Sequence, residues 1–154
     1  MTHNFEQLQA HILALSRANF FEVARREWVL DAVEVSEEFD SCPCGQAIKE
    51  HCYLRNTVTG HRTYVGNVCV NRFIGIDTGT LFDGLKRIKE DPSANANFAV
   101  IDYAEARGFL YDKEPDFLRF TARKRNLSAA QTAWKEKINR RILNQTVVQR
   151  RTQR

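Results

Sequence analysis

The sequence predicts an α+β fold, and three observations carry that expectation. All four cysteines lie between positions 42 and 69. Two short runs with alternating polarity, 51–55 and 61–65, flank a Gly-containing loop, the pattern of a β-hairpin. The remaining segments follow helical periodicity. The expected architecture is a small treble-clef-like module of knuckle, hairpin and helix, packed with a mainly helical N-terminal segment and a C-terminal helical bundle. Its boundaries are 1–38 for the N-terminal segment, 39–76 for the cysteine module, 77–146 for the helical region and 147–154 for a basic tail.

The chain opens with Phe5, Leu8, Ile12 and Leu15 at helical spacing. Asn4 stands as a cap with Gln7 three residues on. Residues 20–35, from Phe20 and Phe21 through Trp28 and Val29 to Val33 and Val35, are apolar enough to be buried, a helix passing into a strand. The acidic run Glu34, Glu37, Glu38 and Asp40 reads as a solvated face rather than a metal site.

The cysteine spacing is Cys42-x-Cys44, seven residues, Cys52, sixteen residues, Cys69. Clustering argues for one shared task. The first thirty residues interrupt their apolar positions with Glu6, His11, Arg17, Glu22, Arg25, Arg26 and Glu27, so there is no signal-peptide core, and no stretch reaches the length of a membrane span. A cytoplasmic protein without membrane association is therefore expected. In a reducing compartment, clustered thiols read first as thiolate ligands to zinc, with disulfides and unlinked buried thiols as the alternatives. Cys42-Pro43-Cys44-Gly45 is one residue tighter than the common zinc knuckle, and Gly45 can adopt positive φ beneath the ion. Asn67 can cap a helix beginning at Val68, placing Cys69 in a first turn where the helix dipole favours a thiolate. The expected ligands are Cys42, Cys44, Cys52 and Cys69. His51 is the substitute for Cys52, since neighbours on a strand point to opposite faces and at most one reaches the metal. His61 reads as a surface residue. Four protein ligands would make a structural zinc site with no position left for water.

Helices are expected over 80–88, ended by Asp91-Pro92, over 94–107, stopped by Gly108, and around 115–123. The last starts at Ser128, where Ser128 and Gln131 form a capping box ahead of the Trp134, Ile138, Ile142 stripe. Arg141 falls only about 20° from Trp134 around that helix. A basic residue inside an apolar seam either snorkels out or meets a partner.

Charge is polarised along the chain. Residues 118–154 carry eleven Lys or Arg against Glu136 alone, so +10 there leaves −6 on residues 1–117 of the overall +4. Arg123, Lys124 and Arg125 form a cationic loop leading into a helix N-terminus, an arrangement suited to phosphate. With Lys137, Arg140 and Arg141, and with Arg55 and Arg62 beside Tyr53 and Tyr64 on the hairpin, they are the expected nucleic-acid contacts.

The run Cys42-x-Cys44-Gly45-x-x-Ile48-x-x-x-Cys52-x-Leu54-x-Asn56-x-x-Thr59-Gly60, followed by Val65-Gly66-Asn67-x-Cys69-Val70-x-x-Phe73, resembles the cysteine module of uncharacterised zinc-binding proteins of tailed bacteriophages and large DNA viruses. The segment from Tyr103 through Lys124-Arg125 to Trp134, Lys137 and Ile138 resembles the helical part that accompanies it. The resemblance implies a viral origin, hence a bacterial host cytoplasm if phage-encoded, and a zinc module; it implies no activity. The expected function is that of a zinc-stabilised nucleic-acid-binding accessory protein, DNA or RNA, with antagonism of a host defence or replication protein as the alternative. No paired carboxylates or histidine-centred set mark it as an enzyme, a nuclease included.

Overall fold

The computed structural model describes residues 3–148. Arg150, Arg151 and Arg154, and most of the expected basic tail, lie outside the described residues. The chain divides into two compact units, 1–79 and 80–154. The expected N-terminal segment and cysteine module thus share one unit. By this boundary the formal charges are −3 and +7.

The N-terminal unit runs α1 (His3–Ala14), α2 (Phe21–Ala24), a 3-10 turn (Arg25–Glu27), β1 (Trp28–Ser41), β2 (Ala47–Asn56), β3 (Arg62–Val65) and α3 (Asn67–Ile74). The three strands form an antiparallel sheet in the order β1-β2-β3. Register is set by pairs such as Val33 with Cys52 and Cys52 with Val65. One sheet face therefore carries Val33, Cys52, Leu54 and Val65, all buried, and faces the core with Leu8 and Ile12 of α1 and Val70 and Phe73 of α3. Phe73 anchors the aromatic part, with ring centroids 5.9 Å from Phe21 and 6.0 Å from Trp28.

Several expectations shift. The acidic run belongs to β1, and the knuckle is the β1–β2 turn rather than a free-standing loop. The knuckle, hairpin and helix occur in the expected chain order, but the hairpin is part of a three-stranded sheet. Asn4 lies inside α1, and Gly66 rather than Asn67 occupies the cap position of α3. The hairpin loop closes as expected: Asn56 Oδ1 accepts from the backbone N–H of Val58 and Thr59 at 2.8 and 2.9 Å, an Asx turn.

The C-terminal unit is helical: α4 (Gly79–Glu90), α5 (Phe98–Arg107), α6 (Glu114–Thr121) and α7 (Ala129–Leu143). Among the described residues the protein thus has seven α-helices and one sheet, an α+β architecture. α5 starts at 98 rather than 94 because the Asn97 side chain caps it, accepting from Val100 N–H. The Ser128–Gln131 capping box of α7 is present. Phe117 of α6 stacks on Trp134 of α7 with centroids 4.0 Å apart, and Ile138 and Ile142 continue into the core.

Two buried charges organise this unit. Arg141 donates to Glu114 Oε1 at 2.5 Å and to Phe109 O at 3.0 Å; the two side chains are 9% and 4% exposed. Glu114 also accepts from Tyr111 N–H at 2.8 Å and Trp134 Nε1 at 2.9 Å. Burial opposes ionisation of Glu114, but the hydrogen bonds from Arg141, Tyr111 and Trp134 bring it below its usual 4.5. Lys135, fully buried, donates to Asn95 Oδ1 and to Thr121 O. Burial pushes it down to about 8 from 10.5.

The pH dependence of folding follows with opposite signs. Glu114 contributes stability above pH 4.5 that is lost as pH falls through its lower folded-state value. Removing one partner leaves a buried uncompensated charge, so Arg141→Ala costs about 3–5 kcal/mol. Lys135 binds its proton more weakly folded than unfolded, so stability rises as pH climbs from about 8 toward 10.5. Urea unfolding across pH checks both: Glu114→Gln flattens the acid limb, Lys135→Met the alkaline rise.

Candidate metal centre and basic cleft

The β1–β2 turn brings the first two cysteines together. Cys42 N–H donates to Gln46 O and Gly45 N–H to Cys42 O, both at 2.8 Å, and Gly45 takes φ 101°. Such a backbone favours glycine. A side chain there would also meet Gln7 Oε1 of α1 at 2.7 Å, so the tight turn is closed over by the first helix. From the other side, the α3 start delivers Cys69, and Gly66 N–H donates to Cys42 Sγ at 3.4 Å.

The sulfurs of Cys42, Cys44 and Cys69 all lie within 4.8 Å of one another, and all three residues are buried. Cys42 and Cys69 are 3.7 Å apart. Zinc–sulfur bonds of about 2.3 Å in a tetrahedron place sulfurs about 3.8 Å apart. The three cysteines can therefore hold one metal ion, and the soft sulfur donor set suits zinc. Their electrostatics point the same way. A hydrogen bond from Cys69, resisted by burial and supported by the N–H groups of Cys44 and Gly66, brings Cys42 down to about 5. Cys69, sharing that proton, is pushed up. Within the trio the proton is thus held by Cys69 and the thiolate is favoured on Cys42.

Cys52 is not in this cluster. It sits mid-strand on the core face, fully buried, and burial pushes its thiol up to about 12. The physical reason is register: pairing with Val33 and Val65 points Cys52 into the apolar layer. His51, its expected substitute, is directed to the opposite face. There Nε2 lies 3.3 Å from Asp40 Oδ2 and Nδ1 3.1 Å from Lys49 O, with the ring between Tyr53 and Tyr64. His61 is exposed, as expected.

The sequence reading missed the part played by α1. His11 is half-buried, its Nε2 2.8 Å from Thr63 Oγ1, and burial lowers its basicity while the charge on Cys42 raises it. Asn4, Phe5 and Leu8 of α1 line a cavity of about 290 Å³ together with Cys44, Gln46, Val68, Cys69 and Arg72. A helical stripe reads as core, and nothing in its periodicity marks which side chains border a metal.

The expected nucleic-acid contacts separate into two groups. Arg141 is spent on Glu114, and Arg55 pairs with Asp31 at 3.1 Å; both belong to structural ion pairs. Tyr53 OH donates to Glu34 and Tyr64 OH to Ser41 O, which ties down the hairpin face. Arg62 is exposed on β3, and Lys137 and Arg140 on α7. Arg123, Lys124 and Arg125 are exposed ahead of α7. Lys124 and Arg125 line a cleft of about 560 Å³ with Arg87 of α4, Asn95, Asn126 and Thr132; Glu90 and Asp91 border it too. Asp91 is engaged locally, accepting from Ser93 N–H and Oγ. Phe120, 71% exposed, lies beneath Lys124 Nζ, 4.0 Å from its ring centroid. Arg87 and Asn95 escaped the sequence reading because the fold, not the order of the chain, brings them to the loop; Phe120, four residues before Lys124, was within its reach.

No protein-family model, curated protein or solved structure matches the chain.

If the trio is the ligand set, Cys42→Ser, Cys44→Ser and Cys69→Ser each lower bound metal below stoichiometric, whereas Cys52→Ala leaves it intact. The latter loses packing worth about 1–2 kcal/mol. Elemental analysis of dialysed protein, paired with thermal melts, checks the contrast.

Proposed function

We propose that the protein is a zinc-stabilised nucleic-acid-binding accessory protein, with a treble-clef-like N-terminal unit and a contact surface in the C-terminal unit. The observation that carries this reading is the cleft beside the α7 N-terminus, where Arg87, Lys124 and Arg125 converge next to exposed Phe120. Cations there neutralise phosphates and release counterions. The N-terminal amides of α7 add favourable dipoles. An exposed ring offers a base a stacking surface, a contribution of about 1–3 kcal/mol per base and indifferent to sequence. That combination suits single strands, whose bases are free to leave their neighbours, better than duplexes.

Zinc in this reading ties the β1–β2 turn to the start of α3. It supplies folding free energy, because the three thiols meet only in the folded chain. The acidic surroundings of the hairpin, with Asp31, Glu34 and Asp40 facing Arg55, Tyr53 and His51, make that face a poor phosphate surface and leave the cleft as the better one.

Titration into labelled single- and double-stranded DNA and RNA at two salt concentrations tests the proposal. Single strands bind more tightly than duplexes, and affinity falls steeply with salt. Replacing Arg87, Lys124 and Arg125 together by Ala reduces the salt slope by about 2–3, and Phe120→Ala weakens single-strand binding about tenfold or more. Absence of salt-sensitive binding by intact, zinc-loaded protein would overturn this reading and favour a protein partner. Chelation in the same preparation lowers the melting temperature.

A further inference from the structure

The cavity of about 290 Å³ in the N-terminal unit has two of the three clustered cysteines, Cys44 and Cys69, in its wall. Three thiolates leave a tetrahedral ion one position short. Among the described residues, Cys52, His51 and His11 are committed elsewhere. Cys52 points into the apolar layer between Val33 and Val65. His51 lies against Asp40 and Lys49 O. His11 directs Nε2 at Thr63. The cavity reaches both Cys44 and Cys69.

Its walls have a definite chemistry. Arg72, one helical turn beyond Cys69 on α3, contributes a guanidinium, whose planar fork matches a carboxylate. Phe5, Leu8 and Val68 contribute apolar surface. Three thiolates on a divalent ion leave a net charge of −1, so an incoming anion needs a neighbouring cation, which Arg72 provides. A site already selecting soft donors favours sulfur over oxygen in the fourth position.

We propose that the metal held by Cys42, Cys44 and Cys69 keeps its fourth position open to this cavity and takes there the thiolate of a small mercaptocarboxylate, whose carboxylate pairs with Arg72. The thiol releases its proton to solvent as its sulfur replaces solvent on the ion; no electron is transferred. This extends the metal reading of the trio and is independent of the basic cleft.

The test uses the full chain loaded with cobalt(II), whose sulfur-to-metal charge-transfer absorption counts thiolates and whose d–d bands report geometry. Cobalt is expected to bind with the intensity of three thiolates, unchanged in Cys52→Val. Titration with 3-mercaptopropionate then raises the intensity by one third, saturating at one equivalent per ion. Arg72→Gln, with an unaltered cobalt spectrum, weakens that titration about tenfold or more, the scale of a lost charge-assisted hydrogen bond. 2-Mercaptoethanol, lacking the carboxylate, binds wild type as weakly as 3-mercaptopropionate binds Arg72→Gln.

Failure to bind cobalt at all, with native far-UV circular dichroism, overturns the metal reading itself. Four-thiolate intensity before any addition, falling by one quarter in Cys52→Val, shows a site closed by the chain and overturns the open position alone. A bound cobalt whose spectrum ignores both thiols does the same, and equal affinity for the two thiols in wild type overturns the role given to Arg72.

Discussion

Three sulfur atoms within 4.8 Å of one another impose the constraint on which the N-terminal unit depends. As thiolates they repel at close range in a buried setting, where Coulomb energies are much larger than in water. As thiols they are small apolar groups with weak hydrogen bonds, too little to hold the knuckle at Cys42 against a helix whose Cys69 is 27 residues on. A divalent cation would resolve the conflict in both directions, removing the repulsion and adding bonds. The polypeptide prepares for it: Gly66 N–H points at Cys42, Gly45 allows the turn, and α3 begins where Cys69 is needed. A shared ion would fix sheet, turn and helix to each other at one point, and Phe73, one turn further along α3, packs against Trp28 and Phe21.

The C-terminal unit solves its packing without clustered thiols, through Glu114 and Lys135. Glu114 gathers donors from Trp134 and Arg141 of α7 and from Tyr111 in the loop before α6, so that one carboxylate ties α6 to α7 and to the loop that precedes it. Lys135 donates instead to Asn95 and Thr121 O, and burial costs it proton affinity. Buried polar groups of this kind constrain geometry more than they add net stability. Asn95 has a double position in this scheme: its carbonyl receives the buried lysine while its amide donates to Lys124 O, 2.9 Å away, and the residue itself borders the cleft. The cationic loop is therefore tethered to the most desolvated charge of the unit.

Much of this was legible in the sequence wherever the signal was local. The Ser128–Gln131 capping box, the stop at Gly108 and the Asn56–Gly60 loop depend on neighbours within four residues, and the structure has each of them. The clustering was legible for Cys42 and Cys44 from spacing and for Cys69 from its place at a helix start. Cys52 lies outside the trio, which a count of thiols does not reveal because it ignores register: one residue of strand phase decides which face a side chain meets, and that phase is set by β1, whose pairing with β2 no local pattern announces. Arg141 shows the same limit in reverse. Its place in an apolar seam was visible, but the carboxylate that accounts for it stands twenty-seven residues upstream.

Charge polarisation along the sequence overstates what is available to bind a polyanion, because part of the basic surplus is consumed within its own unit. Arg119 donates to both Asp102 and Glu105 at 2.8 Å, and Arg141 is buried against Glu114. Redirecting Arg141 to phosphate would leave Glu114 buried without its cation, and Arg119 is already shared between two carboxylates. What distinguishes Arg123, Lys124 and Arg125 is that they lie in the short connection between α6 and α7, exposed and anchored at the backbone by Asn95. A tethered loop loses less conformational freedom when it closes on a ligand, so each contact contributes more to affinity than the same cation on a free tail. Preorganisation of that loop, more than net charge, is the physical basis for placing a binding surface there.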